Sequence, residues 1–73
     1  MSHAVKCPMP AKVWQVHVGE GDAVSPETVV VVLESMKMEI PVEADVAGTV
    51  SKILARPDET VKKGDTLMLI EVT

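Results

Sequence analysis

The run Glu34-Ser35-Met36-Lys37-Met38-Glu39 gathers the groups of this chain that could do chemistry. Lys37 is a primary amine between two flexible thioethers, with a carboxylate on either side of the triplet. The pattern around it reads as β-strand. Val29 to Leu33 is a continuous aliphatic run, and beyond the lysine Met38, Ile40, Val42 and Ala44 alternate with Glu39, Pro41 and Glu43. Two strands joined by two residues make a hairpin. Met36 and Lys37 are poor residues for such a turn, because its central positions need φ > 0 and favour Asn-Gly or other glycine-containing pairs. A local rule broken without visible compensation is characteristic of a functional position. The residues alone leave a second reading open, in which Glu34, Lys37 and Glu39 form a solvated charged tip.

The other reactive side chains make weaker constellations. His3, His17 and Cys7 lack metal-ligand spacing, so no metal site is expected. Cys7 has no His/Asp arrangement near it in sequence and reads as a buried or edge thiol rather than a nucleophile. Asp22, Asp58 and Asp65 fall in turns, where Asp bonds the local backbone.

Positioning Lys37 requires a register. With Met36-Lys37 as the turn, Ser35 faces Met38, Glu34 faces Glu39, Leu33 faces Ile40 and Val31 faces Val42. Side chains alternate faces along a strand, so Val29, Val31 and Leu33 join Ile40, Val42 and Ala44 on the core side. Glu34 and Glu39 share the opposite face, where directly opposed like charges cost up to about 1 kcal/mol.

The rest of the chain repeats this unit. Shifted by 37 residues, the sequence matches itself without a gap. Val13 falls on Val50, Val16 on Ile53, Val24 on Val61, Leu33 on Ile70 and Glu34 on Glu71; Glu20-Gly21-Asp22-Ala23-Val24 falls on Pro57-Asp58-Glu59-Thr60-Val61. The repeats run over about 1–36 and 38–73. Strands are expected near 3–7, 12–18, 29–35, 38–44, 49–55 and 66–72, with short ones near 23–25 and 60–62. No stretch has helical period, and many short strands imply an all-β sandwich or flattened barrel. The counterpart of Lys37 would lie just beyond either terminus, so Lys37 caps the closed tip and the chain ends are expected at the opposite end.

Composition narrows the function. One domain is expected from 73 residues,, burying only about 60% of its unfolded surface, too small for a large catalytic cleft. Fourteen valines and no Phe or Tyr give a finely packed β core. A net charge of −4 and a single aromatic, Trp14, argue against a nucleic-acid surface. The single cysteine suits a reducing compartment. No secretory h-region is visible and the longest apolar run is too short for a bilayer. A cytoplasmic protein is expected, with an organelle matrix as the alternative, and Met1 suggests a free-standing chain.

Four segments together resemble the biotinyl/lipoyl attachment domain family, and in particular its short stand-alone biotin carboxyl carrier type. Glu34-Ser35-Met36-Lys37-Met38-Glu39-Ile40-Pro41 resembles the Met-Lys-Met attachment motif. Cys7-Pro8-Met9-Pro10-Ala11, Ala44-Asp45-Val46-Ala47-Gly48-Thr49-Val50 and Lys63-Gly64-Asp65-Thr66-Leu67 resemble the family's flanking segments in order and spacing. The resemblance spans essentially the whole chain. It implies a flattened barrel of two four-stranded antiparallel sheets with a quasi-twofold repeat, and a carrier rather than an enzyme. It implies covalent biotin on Lys37, attached by a biotin–protein ligase, and an arm shuttling carboxybiotin from a biotin carboxylase to a carboxyltransferase. Met36 and Met38 would serve recognition, since flexible thioethers adapt to several surfaces; alternatively one packs on the core edge. Glu34 and Glu39 would help present the lysine to ligase or partner, or be a plain solvated face. The domain alone would be a monomer, without membrane or nucleic-acid partners.

Some positions depart from the family pattern. Cys7 replaces Ala or Ser, and Ala11, Glu27 and Asp58 stand where Gly is usual, which bears on loop shape. There is no room for a protruding thumb and no Ala/Pro-rich linker, unlike the standard bacterial acetyl-CoA carboxylase carrier. Two rival readings remain: a lipoate carrier for acyl transfer, whose tip usually reads Asp-Lys-Ala, and an unmodified β-module that binds a partner.

Overall fold

β-Branched residues fill the strands of a computed structural model that describes all 73 residues. Eight strands form: β1 (Ser2–Lys6), β2 (Ala11–Val16), β3 (Ala23–Val24), β4 (Val29–Ser35), β5 (Met38–Glu43), β6 (Gly48–Ile53), β7 (Thr60–Val61) and β8 (Thr66–Val72). Each expected strand is present, β4 and β8 with the expected bounds and the others shifted by a residue or two. No helix forms, so none is long and apolar enough to cross a membrane.

Two four-stranded antiparallel sheets face each other, in the orders β5-β4-β2-β7 and β1-β8-β6-β3. Three strands of one half recur in the other at an offset of 37 residues, 11 to 48, 23 to 60 and 29 to 66. The correspondence extends to irregularities. The β2–β4 ladder slips between Val13 and Gln15, and the β6–β8 ladder slips at the equivalent Val50 and Lys52. Each bulge leaves one residue unpaired and re-aims it. Trp14 there stands 43% exposed, whereas its counterpart Ser51 turns its hydroxyl to the Leu69 carbonyl at 3.1 Å.

One cluster of sixteen buried residues fills the space between the sheets, with Leu33, Leu67, Met68 and Ile70 its largest fully buried members. The core face expected of the hairpin is only partly right. Val31 and Leu33 are fully buried and Val42 nearly so, but Val29 and Ile40 are half-buried, and Val30 is fully buried as well. A slip in the β4–β5 pairing between Val29 and Val31 breaks strict alternation there,.

The positions where the sequence lacks glycine show how the loops adapt. Gly21, at φ 93°, donates its amide to Val50, and its counterpart Asp58, at φ 70°, donates to Val13, both at 2.8 Å. Asp tolerates this left-handed backbone better than most residues. Glu27 takes the other route. Its counterpart Gly64 has φ 90°, but Glu27 stays out of the positive region, so the turn after β3 reverses in a different conformation, closed by Thr28 N–H to Ser25 C=O at 3.0 Å.

Both chain ends lie at the end of the β1–β8 sheet that corresponds to the hairpin tip of the other. The N-terminal ammonium meets Glu71 Oε1 at 3.0 Å, the Ser2 hydroxyl donates to Glu71 Oε2 at 3.2 Å, and Val72 N–H donates to the Met1 carbonyl at 2.8 Å. The hydrogen bond from the ammonium, then that from Ser2, holds the Glu71 carboxyl below its ordinary pKa. A lowered folded-state pKa stabilises above the unfolded value of 4.5 and is lost as pH falls through the folded value. At this exposed site the effect is local.

Two outcomes follow for the fold. A Cβ on Gly48 would overlap the Glu71 carbonyl oxygen, so Gly48→Ala should destabilise by about 1–3 kcal/mol in urea unfolding; a loss under about 0.5 kcal/mol would contradict the close approach. Acidification from pH 7 to pH 3 should lower the protection factor of the Val72 amide, its exchange rate relative to the intrinsic rate at the same pH, in the native protein and much less in Glu71→Gln. An equal loss of protection in both would show that Glu71 does not hold the chain end.

Candidate functional site

The pairing of β4 with β5 fixes the tip. Val31 pairs with Val42, Leu33 with Ile40, Glu34 with Glu39 and Ser35 with Met38, leaving Met36-Lys37 as the whole connection. Buried Val42 between exposed Pro41 and Glu43 anchors this register, since a one-residue slip of β5 would turn Val42 to solvent and bring Pro41 and Glu43 to the core,. A two-residue link between right-twisted strands needs positive φ at both positions, and Met36 and Lys37 adopt 52° and 63°. Neither is a residue that relieves the Cβ clash of that region, which costs roughly 1–2 kcal/mol per residue. The turn that the sequence makes unfavourable is therefore present, with its strain.

The side chains follow from that backbone. Lys37 is exposed and enters no hydrogen bond or ion pair. Met36 and Met38 are 89% and 64% exposed, so neither packs on the core edge, and the reading in which one of them does is corrected. Two thioethers thus flank a free amine in solvent, an uncommon use of large apolar side chains on so small a surface.

Glu34 and Glu39 oppose each other across the ladder on the exposed face. Lys12 is paired with Glu34 on its other side, but its ammonium turns to Asp58 Oδ1 at 3.7 Å. The acidic pair is thus left without an ion-pair partner. The equivalent end of the other sheet resolves the same conflict differently. There Ser2 takes the place of Glu39, and Glu71, the counterpart of Glu34, is satisfied by Ser2 and the N-terminal ammonium. Of the two ends, only the hairpin tip keeps its charges unpaired.

The remaining titratable candidates have ordinary partners. The Cys7 thiol is buried and donates to the Met9 carbonyl at 2.7 Å. His17 Nε2 bonds Gln15 Oε1 at 2.8 Å, and no three His, Cys, Asp or Glu side chains converge. Asp22 and Asp65 close their turns by accepting the Gly19 and Lys62 amides at 2.7 and 2.9 Å. The molecule's one concavity is not at the lysine. It lies along the β5 edge, lined by Pro41, Val42, Glu43 and Asp45 with Lys6 from the other sheet. Sequence reasoning missed it, because only the closing of the two sheets brings Lys6 beside the β5 edge.

What the tip can do chemically is limited and specific. It holds a primary amine at a fixed end of the molecule, uncovered by neighbours, with no acid, base or oxyanion donor arranged for turnover. A group whose carboxyl forms an amide with such an amine fits without displacing any side chain. Replacing Met36 by Asn, the residue favoured at the first position of this turn, should raise stability by about 1 kcal/mol in chemical denaturation; a loss of stability would show that the methionine side chain contributes to folding.

Known proteins are similar to this chain in sequence and in fold. The sequence profile of a family described as "Biotin-requiring enzyme" matches residues 3–70. A protein of Mycobacterium leprae described as a homolog of biotinylated protein TB7.3 is 44% identical over 70 residues, covering 96% of this chain and 99% of its own. The Bacillus subtilis biotin/lipoyl attachment protein is 41% identical over 64 residues, 88% of each chain. The crystal structure of Kluyveromyces lactis urea carboxylase superposes with a TM-score of 0.91 at 28% identity, covering 97% of this chain and 6% of that one. Carboxylases among the sequence relatives are likewise much longer, this chain spanning from 6% to 11% of each.

Proposed function

This chain belongs to the biotin-requiring, biotin/lipoyl family, and on that premise we propose that it is a biotin carboxyl carrier domain whose Lys37 is the attachment residue. The observation that carries the reading is the tip itself: an unpaired, exposed lysine at the summit of a strained two-residue turn. Residues held in sparsely populated conformations by their surroundings cluster at functional sites.

Attachment is an acylation. The Lys37 ammonium loses a proton, its Nζ forms an amide bond with an activated biotin carboxyl, and the activating group leaves. The reaction removes one positive charge, taking the net charge from −4 to −5. A biotin–protein ligase supplies the activated acyl group; Met36 and Met38 offer it an adaptable apolar surface on both sides of the amine, and Glu34 and Glu39 mark one face of the tip with negative charge.

When bound, biotin supplies a ureido nitrogen that takes up and releases CO₂. The chain contributes position. The β4–β5 hairpin is rooted in the core by Val31, Leu33 and Val42, so the base of the arm is fixed while its end sweeps. A tethered group visits two partner sites at a high effective concentration, here a biotin carboxylase and a carboxyltransferase. The termini, held at the equivalent end of the other sheet by Glu71 and Ala47, stay clear of the lysine. The domain itself does no catalysis. Its relatives within urea, propionyl-CoA and pyruvate carboxylases support a carboxylase system as its setting, and the cytoplasm suits the free thiol of Cys7.

The intact mass after incubation with biotin, ATP and a biotin–protein ligase tests the reading. A gain of one biotin less one water, absent in Lys37→Arg and retained in Lys12→Arg, is the expected result. A lipoyl-sized gain from a lipoate ligase instead would make this a lipoate carrier, and no adduct with either ligase would leave an unmodified β-module.

A further inference from the structure

The concavity along β5 is mixed in chemistry. Its volume is about 460 Å³, within the range of small-molecule sites. Pro8, Val29, Pro41 and Val42 give it apolar walls, and Lys6, Glu43 and Asp45 bring one ammonium and two carboxylates. None of these three charged side chains forms an ion pair or side-chain hydrogen bond elsewhere. They are therefore free to bond a polar guest. Lys6 and Glu43 occupy equivalent positions at the ends of β1 and β5, the outer strands of the two sheets, and both line the cavity.

We propose that this cavity is an internal resting site for the head group of biotin carried by Lys37, a proposal that rests on the carrier reading above. The ureido ring has two N–H donors and one carbonyl acceptor, and its fused sulfur ring is apolar. Glu43 and Asp45 accept from the N–H groups, Lys6 donates to the carbonyl, and the proline and valine walls take the sulfur ring.

Reach agrees. Pro41, at the near wall, is four residues along β5 from Lys37, about 14 Å at the rise of an antiparallel strand, and Glu43 is six, about 20 Å. A lysine side chain extended by a five-carbon acyl chain covers about eleven bonds, roughly 13 Å, and the fused rings add about 5 Å, which brings the ureido edge within a hydrogen bond of a Glu43 side chain reaching back along the strand. β5 is an edge strand with no outer neighbour, so no other strand blocks the arm from lying along it. Docked there, the arm shelters its ring from water between visits to partners, and leaving the cavity has only a few contacts to break.

Amide NMR spectra of the apo and fully biotinylated protein, with the adduct confirmed by intact mass, test the site. The expected result is shift changes at Lys6, Val42, Glu43 and Asp45 in addition to those at Ser35–Glu39. In biotinylated Lys6→Ala the changes at Val42–Asp45 should fall severalfold while those at the tip remain. Changes confined to Ser35–Glu39 in the native protein would overturn the proposal and leave the carrier reading intact. Distant changes undiminished in Lys6→Ala would overturn the assigned polar contacts. A mass without biotin would instead refute the carrier reading on which the site depends.

Discussion

Leu33 and Ile40 face each other one step below Glu34 and Glu39, and the interval between them leaves two residues to reverse the chain. Burial of Val42 between exposed Pro41 and Glu43 holds that interval fixed, because a slip of one residue would exchange core and solvent faces along β5. The turn must then adopt positive φ at Met36 and Lys37 whatever their side chains prefer. Core packing thus imposes the strain at the tip, and the strain in turn projects Lys37 and both methionines into solvent. The position of the amine, the exposure of its flanking thioethers and the rigidity of its base are consequences of one ladder register.

The near-symmetry of the two halves makes the differences between them informative. Where both halves must meet the same geometric demand, they answer with different residues. Gly21 and Asp58 supply one left-handed turn apiece, and Ala11 stands where the other half needs Gly48 to pass the Glu71 carbonyl. Where the demand is chemical, the halves diverge. Glu71 is neutralised by the chain's own amino terminus and Ser2, whereas Glu34 faces Glu39 unrelieved. One end of the molecule closes on itself electrostatically and the other keeps a free cation beside free carboxylates.

Much of this was legible in the chain. Alternation of Met38, Ile40, Val42 and Ala44 with polar residues gave the strand and its register, and the self-match at 37 residues anticipated which strands of the two halves correspond, though not that each sheet draws strands from both halves. The unsuitability of Met36-Lys37 as turn residues singles out the candidate site from the sequence. Other features left no local signal. The exposure of Trp14 depends on a bulge that only the pairing of β2 with β4 reveals, and the burial of Val30 depends on the slip at Val29. The partner of Lys12 proved to be Asp58, far away in sequence, rather than its ladder neighbour Glu34.

The sequence by itself determined the strand pattern and the repeat and singled out Lys37 as a candidate residue, because side-chain periodicity and turn chemistry are local properties written every two residues. The tertiary structure alone decided which charges find partners and which surfaces meet. Glu71 depends on the amino terminus reaching it across the sheet, Gly48 on a carbonyl from β8, and the β5 cavity on Lys6 arriving from the opposite sheet. Those contacts join residues distant along the chain, and only the closing of two sheets over one core brings them within bonding distance.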